Sequence, residues 1–160
     1  MKTDDKIKKR IACRAQTPLG VFTALYEDGS ILRVLFPDEP CPRNFAVFDD
    51  TLPFAAQTAE YFAGKRRDFS LPMLIPGTPF RQAVYQATIG IPYGGTASYS
   101  SVALAAGYPL AMRAVGTAMK LNPLPLLIPC HRVVHKGTKS EAYRGGLDIK
   151  SFLLDLEAAK

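Results

Sequence analysis

The residue best suited to chemistry is Cys130, which ends an apolar run and is followed directly by His131 and Arg132. A cysteine attacks as the thiolate, and basic or positively charged neighbours favour that form. A cysteine after Leu-Leu-Ile-Pro is also typical of a small buried core residue. His135 could join a metal site, but no fourth ligand is at hand in the sequence. The residues alone therefore leave the nucleophile and the core thiol both open, and we predict no metal site and no cofactor.

The charge distribution favours a polyanionic partner. The chain has 160 residues and a formal net charge of +6. Between Phe69 and Leu147 the only acidic residue is Glu141. The same stretch carries seven basic residues, which are Arg81, Arg113, Lys120, Arg132, Lys136, Lys139 and Arg144. Cations near phosphates release condensed counterions, so this stretch suits a polyanion, although a basic surface kept for solubility has the same composition.

Cysteine usage and the N-terminus indicate the compartment. Three cysteines, Cys13, Cys41 and Cys130, cannot all pair with one another. Residues 1–10 are polar and mostly basic, without the apolar segment of a secretory signal, and are typical of a solvated tail. No apolar run is long enough to span a bilayer. We expect free thiols in a reducing compartment, the cytoplasm or a eukaryotic nucleus, and no membrane partner.

A helix-turn-helix candidate precedes the cysteine. Ser98 can cap a helix that runs through Ala106 and stops at Gly107, and a second helix covers about residues 111–120. The second helix has a face of small residues, namely Ala111, Ala114, Gly116, Thr117 and Ala118. Such a face permits close approach of another backbone, most often a neighbouring helix. Close packing does not explain Arg113, a long charged side chain among the small ones.

Three further elements would surround the cysteine. Leu126–Ile128 predicts a strand that ends at the cysteine motif. Asp148 can cap a last helix that carries Glu157 near its end, with Phe152, Leu153 and Leu156 facing inward. Before the helix-turn-helix, Thr78 followed by a proline predicts the start of another helix.

The first third of the chain predicts β structure. Residues 20–26 and 31–36 are strand-like, and the Glu-Asp-Gly-Ser segment between them has hairpin chemistry. A helix follows that Gly64 can close, with apolar positions at Phe54, Ala55, Thr58, Tyr61 and Phe62. We therefore predict an α+β fold, with an N-terminal α/β domain over residues 1–75 and a C-terminal domain over residues 76–160.

The segment Pro129-Cys130-His131-Arg132-Val133 resembles the active-site motif of the O6-alkylguanine-DNA alkyltransferases, the methylated-DNA–protein-cysteine methyltransferases. Other matching segments stand in the family's order and spacing: Ser98-Tyr99, Ala106-Gly107, Arg113-Ala114-Val115-Gly116, Ala118-Met119, Asn122-Pro123, Tyr143-x-Gly145-Gly146-Leu147 and Leu153-Leu154-x-x-Glu157. The resemblance is strong over residues 76–157, weaker over residues 53–75 and only architectural before them. It implies a ribonuclease-H-like N-terminal sheet and helix and a C-terminal winged helix-turn-helix.

The resemblance also implies a reaction, the direct reversal of DNA alkylation. Cys130 would take a methyl or larger alkyl group irreversibly from O6-alkylguanine, and also from O4-alkylthymine. His131 would draw the thiol proton through a water, and Glu157 would orient His131 as in a Cys-His-acid triad. Asn122 would brace the turn before the active site. Tyr99 would donate its hydroxyl to guanine N3 and offset charge on the departing base.

A lesion inside a duplex must be flipped out before it can react. Arg113 would fill the gap left by the base in the minor groove, with further DNA contacts from Ala114, Gly116, Thr117 and Lys120. The base pocket would be walled by Met119, Val133, Tyr143 and Arg144. Arg144 replaces a small residue often found there, and with Glu141 it would set the size of alkyl group admitted. The implied partner is double-stranded DNA containing alkylated guanine, bound by a monomer.

Three other functions compete with this one. A non-enzymatic relative that only flags alkylated DNA would lack the nucleophilic Cys130. An unrelated cysteine hydrolase would have no use for the acid-poor basic stretch. A transcription factor would read base edges, for which the small residues around Arg113 are poorly suited. A regulatory role in addition to repair stays open.

Overall fold

A three-stranded antiparallel sheet forms the first part of the computed structural model, which describes residues 8–135 and 143–159. Its strands are β1 (Arg10–Thr17), β2 (Gly20–Glu27) and β3 (Ser30–Leu35), in the order β1-β2-β3. Asp28 and Gly29 turn between β2 and β3 with φ of 49° and 87°, the paired positive φ values of a tight hairpin. The predicted hairpin is thus confirmed. Strand β1 is not predicted by the sequence patterns, because its fully buried positions are mostly small residues.

Helix α1 (Pro53–Phe62) packs against β1 and confirms the helix predicted around Phe54. Its buried face is formed by Phe54, Thr58 and Tyr61. Gly64 follows with a φ of 74°, a conformation that suits glycine after a helix end. The chain then runs extended beside β3, where the Ile31 N–H donates to the Pro72 carbonyl at 2.9 Å.

The second half of the chain is mostly helical. Helix α2 (Pro79–Ile89) begins after Thr78, whose hydroxyl accepts the Arg81 N–H. After the short strand β4 (Ala97–Ser98), helix α3 (Tyr99–Ala105) begins at Ser98, whose hydroxyl accepts the Ser101 N–H. The remaining elements are α4 (Met112–Lys120), a 3₁₀ turn (Cys130–Arg132), β5 (Val133–Val134), which pairs in parallel with β4, and α5 (Leu147–Ala158). Helices α3 and α4 pack together as the predicted helix-turn-helix.

Two local predictions are wrong. Leu126–Ile128 is a turn, not a strand, because prolines at 123, 125 and 129 interrupt the segment and Leu126 adopts a φ of 72°. Cys130 therefore begins a 3₁₀ turn and does not end a strand. Asp148 does not cap α5: the cap position is Gly146, the helix starts at Leu147, and Asp148 lies in its first turn.

One apolar cluster links the two halves of the chain. It extends from Cys13 and Phe22 in the sheet to Val115 in α4 and Leu153 in α5. The α+β class is confirmed, whereas the division at residues 75 and 76 stays a prediction. Among the described residues, no helix is long and apolar enough to cross a membrane.

Candidate active site

A cavity of about 290 Å³ opens between α4 and the segment that carries Cys130. Its volume is close to the lower end of the range usual for small-molecule sites, about 300–1,000 Å³. The predicted site residues that line it are Tyr99, Arg113, Gly116, Thr117, Met119, Lys120, Cys130, Tyr143 and Arg144. Met112, His135 and Lys150 also line it and were not among the predicted residues. Among the described residues the lining contains no acidic side chain, so the cavity carries positive charge.

Cys130 lies at the buried end of this cavity, with only 5% of its surface exposed. Its Sγ is 3.8 Å from the Tyr143 hydroxyl, within the reach of a sulfur hydrogen bond. Burial raises the pKa of the Cys130 thiol. Hydrogen bonds to Asn122 and Tyr143, and the charges of Arg144 and Lys150, act in the opposite direction. The resting group is therefore a neutral thiol that needs a base before it can attack.

Behind Cys130, a buried carboxylate binds two consecutive residues of the 3₁₀ turn. Glu157 on α5 lies 2.9 Å from His131 Nε2 through its Oε2. Arg132 donates to the same carboxylate twice, from Nε to Oε1 at 2.6 Å and from Nη2 to Oε2 at 3.0 Å. Burial raises the pKa of Glu157, but the hydrogen bonds and charges of His131 and Arg132 outweigh it and lower the pKa to about 2. Glu157 is therefore ionised, and its charge is shared between a histidine and an arginine.

His131 is held as a neutral base. Burial lowers its pKa, and the nearby cations Arg132 and Lys150 act in the same direction against the attraction of Glu157. A neutral imidazole beside an ionised carboxylate carries its proton on Nε2, which leaves Nδ1 as an acceptor. Nδ1 is buried and has no hydrogen-bond partner within residues 8–135 and 143–159. The free acceptor of His131 is thus on the ring nitrogen that does not face Glu157.

Asn122 braces the turn before Cys130 with both ends of its amide. Its Nδ2 donates to the Ile128 carbonyl at 3.0 Å, and its Oδ1 accepts the Leu124 N–H at 2.9 Å. The residue is 1% exposed, so each bond replaces contacts with water. This is the arrangement expected for a residue that shapes the turn.

Helix α4 presents one exposed edge beside the cavity. Met112, Arg113 and Ala114 are exposed there, whereas Val115 is buried in the core. Gly116 lies beside the Tyr99 ring, and a Cβ in its place would make an ordinary van der Waals contact with that ring at 3.9 Å. The small face therefore has a buried part, at Ala118, and an exposed part, at Ala114 and Thr117.

The comparisons with known proteins agree with this site. Residues 79–159 match the family described as 6-O-methylguanine DNA methyltransferase, DNA binding domain. The constitutive methylated-DNA–protein-cysteine methyltransferase of Bacillus subtilis is 43% identical over an alignment of 152 residues, and the match covers 89% of this chain and 92% of that protein. The chain belongs to the 6-O-methylguanine DNA methyltransferase family.

Solved structures extend the likeness to the whole fold. The crystal structure of Mycobacterium tuberculosis O6-methylguanine methyltransferase superposes with a TM-score of 0.84 at 32% identity, covering 94% of each chain. The structure of Mycobacterium tuberculosis OGT in complex with DNA has a TM-score of 0.85 at 32% identity over 92% of each chain. Family membership thus includes the N-terminal sheet and helix, which lie outside residues 79–159.

Some residues that the family motif predicts at the pocket are engaged elsewhere. Arg144 lines the cavity, but its Nη1 donates to Glu39 at 3.0 Å and its Nη2 to the Asn122 carbonyl at 2.8 Å. Val133 does not line the cavity: its side chain is buried, and its carbonyl accepts from Lys150 Nζ at 2.9 Å. Glu141 lies outside the described residues. Arg144 therefore joins the N-terminal sheet region to the active-site turn, besides contributing to the pocket rim.

Packing explains why the first glycine of the Tyr-x-Gly-Gly segment, Gly145, is a glycine. A Cβ at Gly145 would overlap the ring of Phe36, so only glycine fits there without a shift of the ring. The same ring packs edge-on against Tyr143 at 5.7 Å between centroids. Phe36, which follows β3, thus positions the tyrosine that touches Cys130.

Besides Met112 and His135 in the cavity lining, three buried residues join the site that sequence reasoning did not assign to it. Lys150 is 2% exposed, and its Nζ lies 5.9 Å from the Tyr143 ring centroid. Sequence reasoning placed Arg132 in the cysteine motif and among the cations, and Tyr61 on an apolar helix face, but it predicted neither as a partner of Glu157. Lys150 occupies a position of an amphipathic helix where an apolar residue is expected. A lysine at such a position is a signal that could have identified it. Nothing in the local sequence connects Tyr61 to a carboxylate so far along the chain.

Proposed function

We propose that the chain repairs DNA by transferring an alkyl group from O6 of guanine to Sγ of its own Cys130. The bond between O6 and the alkyl carbon breaks, a carbon–sulfur bond forms, and the electron pair stays with guanine, which takes up a proton at N1 in place of the one that the thiol loses. The observation that carries the proposal is that Cys130 lines a cation-rich cavity and is followed, in the same 3₁₀ turn, by a buried base that is paired with a buried carboxylate. Family membership supports the same reaction.

The thiol proton would leave through His131. Because burial raises the pKa of Cys130 and lowers that of His131, both groups rest neutral and the proton moves only during the reaction. His131 Nδ1 would receive the proton through one bridging water, and Glu157 would stabilise the resulting imidazolium through Nε2. The cations near the sulfur, Arg144 and Lys150, would favour the thiolate as it forms.

Substrate would reach Cys130 as a flipped nucleotide. The exposed edge of α4 would enter the minor groove, and Arg113 would occupy the space left in the base stack. Ala114, Gly116, Thr117 and Lys120 would contact the DNA around it. Tyr99 would donate to guanine N3, while Met119, Tyr143 and Arg144 would form the base pocket.

The product would be a thioether on Cys130. Regenerating the protein would require the thiolate to leave the alkyl carbon, and a thiolate is a poor leaving group from a neutral thioether, so the reaction ends after one turnover. The same pocket would accept O4-alkylthymine. All three cysteines are free, which suits a reducing compartment, and we propose the cytoplasm, or the nucleus in a eukaryote. We also propose that a monomer, with residues 1–75 and 76–160 as its two domains, carries out the reaction without a cofactor.

The test is to incubate the protein with duplex DNA containing O6-methylguanine and to map the adduct by peptide mass spectrometry. We expect one methyl group per protein, on Cys130, and an unmodified guanine in the DNA. Cys41→Ser, which removes a different free thiol, is the control and should react like wild type. Turnover beyond one equivalent, or an unmodified Cys130 with the lesion intact, would contradict the proposal.

A further inference from the structure

The carboxylate of Glu157 has a third partner, which comes from the N-terminal part of the chain. The Tyr61 hydroxyl on α1 donates to Glu157 Oε2 at 3.0 Å. Tyr61 is 1% exposed, and the Glu157 side chain is also 1% exposed. Both groups are thus buried away from water. In such an interior, a hydrogen bond to a charged group has a larger effect than it has in water.

We propose that Tyr61 is a positioning residue for alkyl transfer, which acts through Glu157 to keep His131 neutral with Nδ1 available to the Cys130 thiol. The inference rests on the proposed function and gives the N-terminal region a part in the reaction. Tyr61 does not line the cavity and does not touch the sulfur. Its effect therefore reaches the reaction only through the carboxylate.

The direction of this hydrogen bond is fixed. Glu157 is ionised and can only accept. Burial and the neighbouring Glu157 raise the pKa of Tyr61, so the phenol keeps its proton over the whole working range of pH. Tyr61 is therefore a permanent donor to the oxygen that also faces His131 Nε2 and Arg132 Nη2.

The aromatic ring of Tyr61 is held in place on several sides. Phe62 and Phe69 lie 5.3 Å from it and Tyr93 lies 6.2 Å from it, measured between ring centroids. Tyr93 in turn faces the Arg132 guanidinium at 5.7 Å. The hydroxyl cannot leave Glu157 without disturbing this cluster, so the donor is preorganised.

Removing the hydroxyl would change the proton affinity of His131. The charged groups that act on His131 are Glu157 and Lys150 from α5 and Arg132 beside it in the 3₁₀ turn, with Tyr61 reaching it from α1 through Glu157. Without Tyr61, more of the carboxylate's negative charge is available to a protonated His131, so the pKa of His131 rises. A larger fraction of the protein then carries a protonated histidine that cannot act as the base.

The experiment compares the full chain with Tyr61→Phe. The sequence contains only two histidines, so ¹⁵N-histidine labelling reports the titration and tautomer of His131 directly by NMR. We expect the His131 midpoint to rise by about 0.5 pH unit or more in Tyr61→Phe. The rate of Cys130 alkylation by free O6-benzylguanine should then fall about threefold on the acid side of its pH profile. The half-saturating concentration should stay unchanged, because Tyr61 does not line the cavity.

Tyr85→Phe is the matched control. Tyr85 is 1% exposed and loses a comparable buried bond, from its hydroxyl to the Ala118 carbonyl at 2.9 Å, but this bond does not involve Glu157. The His131 titration midpoint in Tyr85→Phe should equal that of wild type even if the stability of this variant falls. A Tyr61→Phe midpoint equal to those of wild type and Tyr85→Phe would overturn the proposal and leave Tyr61 as a core residue.

A second measurement decides the question if Tyr61→Phe does not fold. In wild type, the Tyr61 hydroxyl proton and the His131 Nε2 proton point to the same carboxylate, so NMR should show cross-relaxation between them. Failure to detect either proton in a protected state would overturn the proposal. A wild-type protein that shows this contact but transfers no methyl group to Cys130 would instead contradict the proposed function alone.

Discussion

The cavity side of Cys130 carries cations that face solvent, whereas the side behind Cys130 carries charges that are bonded to one another. Arg113 and Lys120 on α4 are exposed. Glu157, His131 and Arg132 are all less than 10% exposed and share five hydrogen bonds with distances of 2.6–3.2 Å. The two sides differ in their charge pairing: the cations of the first suit an anionic partner, whereas the charges of the second are paired with one another.

This difference indicates how variants on the two sides should behave. A change behind Cys130 leaves a buried group without its partner, so it should lower stability and slow reaction with any substrate. A change on the cavity side would remove a contact with DNA if the proposed function is right, so it should act mainly on the duplex substrate. Comparing free O6-benzylguanine with duplex DNA separates the two.

The largest effect is expected for Glu157→Gln. The variant removes the charge that compensates buried Arg132, and stability should fall by about 3 kcal/mol. Alkylation by free O6-benzylguanine and by duplex O6-methylguanine should slow by the same factor, because the base rather than DNA binding is affected. Urea unfolding and single-turnover kinetics measure both effects.

Asp155→Asn is the control for that experiment, since it removes an exposed carboxylate from the same helix. It should keep the stability and both rates of wild type. A Glu157→Gln protein with the stability of wild type would break the distinction between the two sides.

The second-largest effect is expected from acid, which should lower the free energy of unfolding through the buried groups His131 and Glu157. The pKa of His131 is lowered, so the unfolded chain binds this proton more readily and stability begins to fall below pH 6.5. The pKa of Glu157 is lowered from 4.5 to about 2, so its contribution is present above pH 4.5 and is lost between pH 4.5 and 2. That contribution corresponds to about 3 kcal/mol at most.

Urea unfolding between pH 7 and pH 3 measures this dependence. Glu157→Gln should lack the loss of stability that wild type shows below pH 4.5. If the variant and wild type lost stability in parallel over that range, Glu157 would not be the group responsible.

Arg113→Ala tests the cavity side. If Arg113 occupies the space of the flipped base, repair of duplex DNA should slow roughly 10- to 100-fold, since unstacking a base requires a few kcal/mol. The reaction with free O6-benzylguanine should change far less, because no base has to be flipped. Arg43→Ala, an exposed arginine outside the cavity lining, is the control and should react like wild type. Equal losses on both substrates would refute the flipping role.

The smallest effect is expected for Lys120→Ala. The lysine would neutralise one phosphate, so its loss should reduce the slope of log K for duplex binding against log salt by about 1. Titrations at several salt concentrations measure the slope, with Lys65→Ala as an exposed control. An unchanged slope in Lys120→Ala would remove this residue from the DNA interface.

Local patterns predicted much of the fold. The hairpin at Asp28 and Gly29, the caps at Thr78 and Ser98 and the helix-turn-helix are confirmed because each depends on a few neighbouring residues. Strand β1 was missed because small buried residues give little hydrophobic signal. The strand predicted before Cys130 is a turn because three prolines outweigh the apolar run.

The sequence by itself determined the candidate nucleophile, its neighbouring base, the acid-poor basic stretch and the small-faced helix around Arg113, since each is a matter of residue type and short spacing. Only the tertiary structure decided what surrounds the carboxylate. Tyr61 and Glu157 are 96 positions apart, and Arg144 and Glu39 are 105 apart. Contacts at such separations depend on how the core brings the sheet, α1 and α5 together, because no local pattern encodes which distant side chains will share a buried charge.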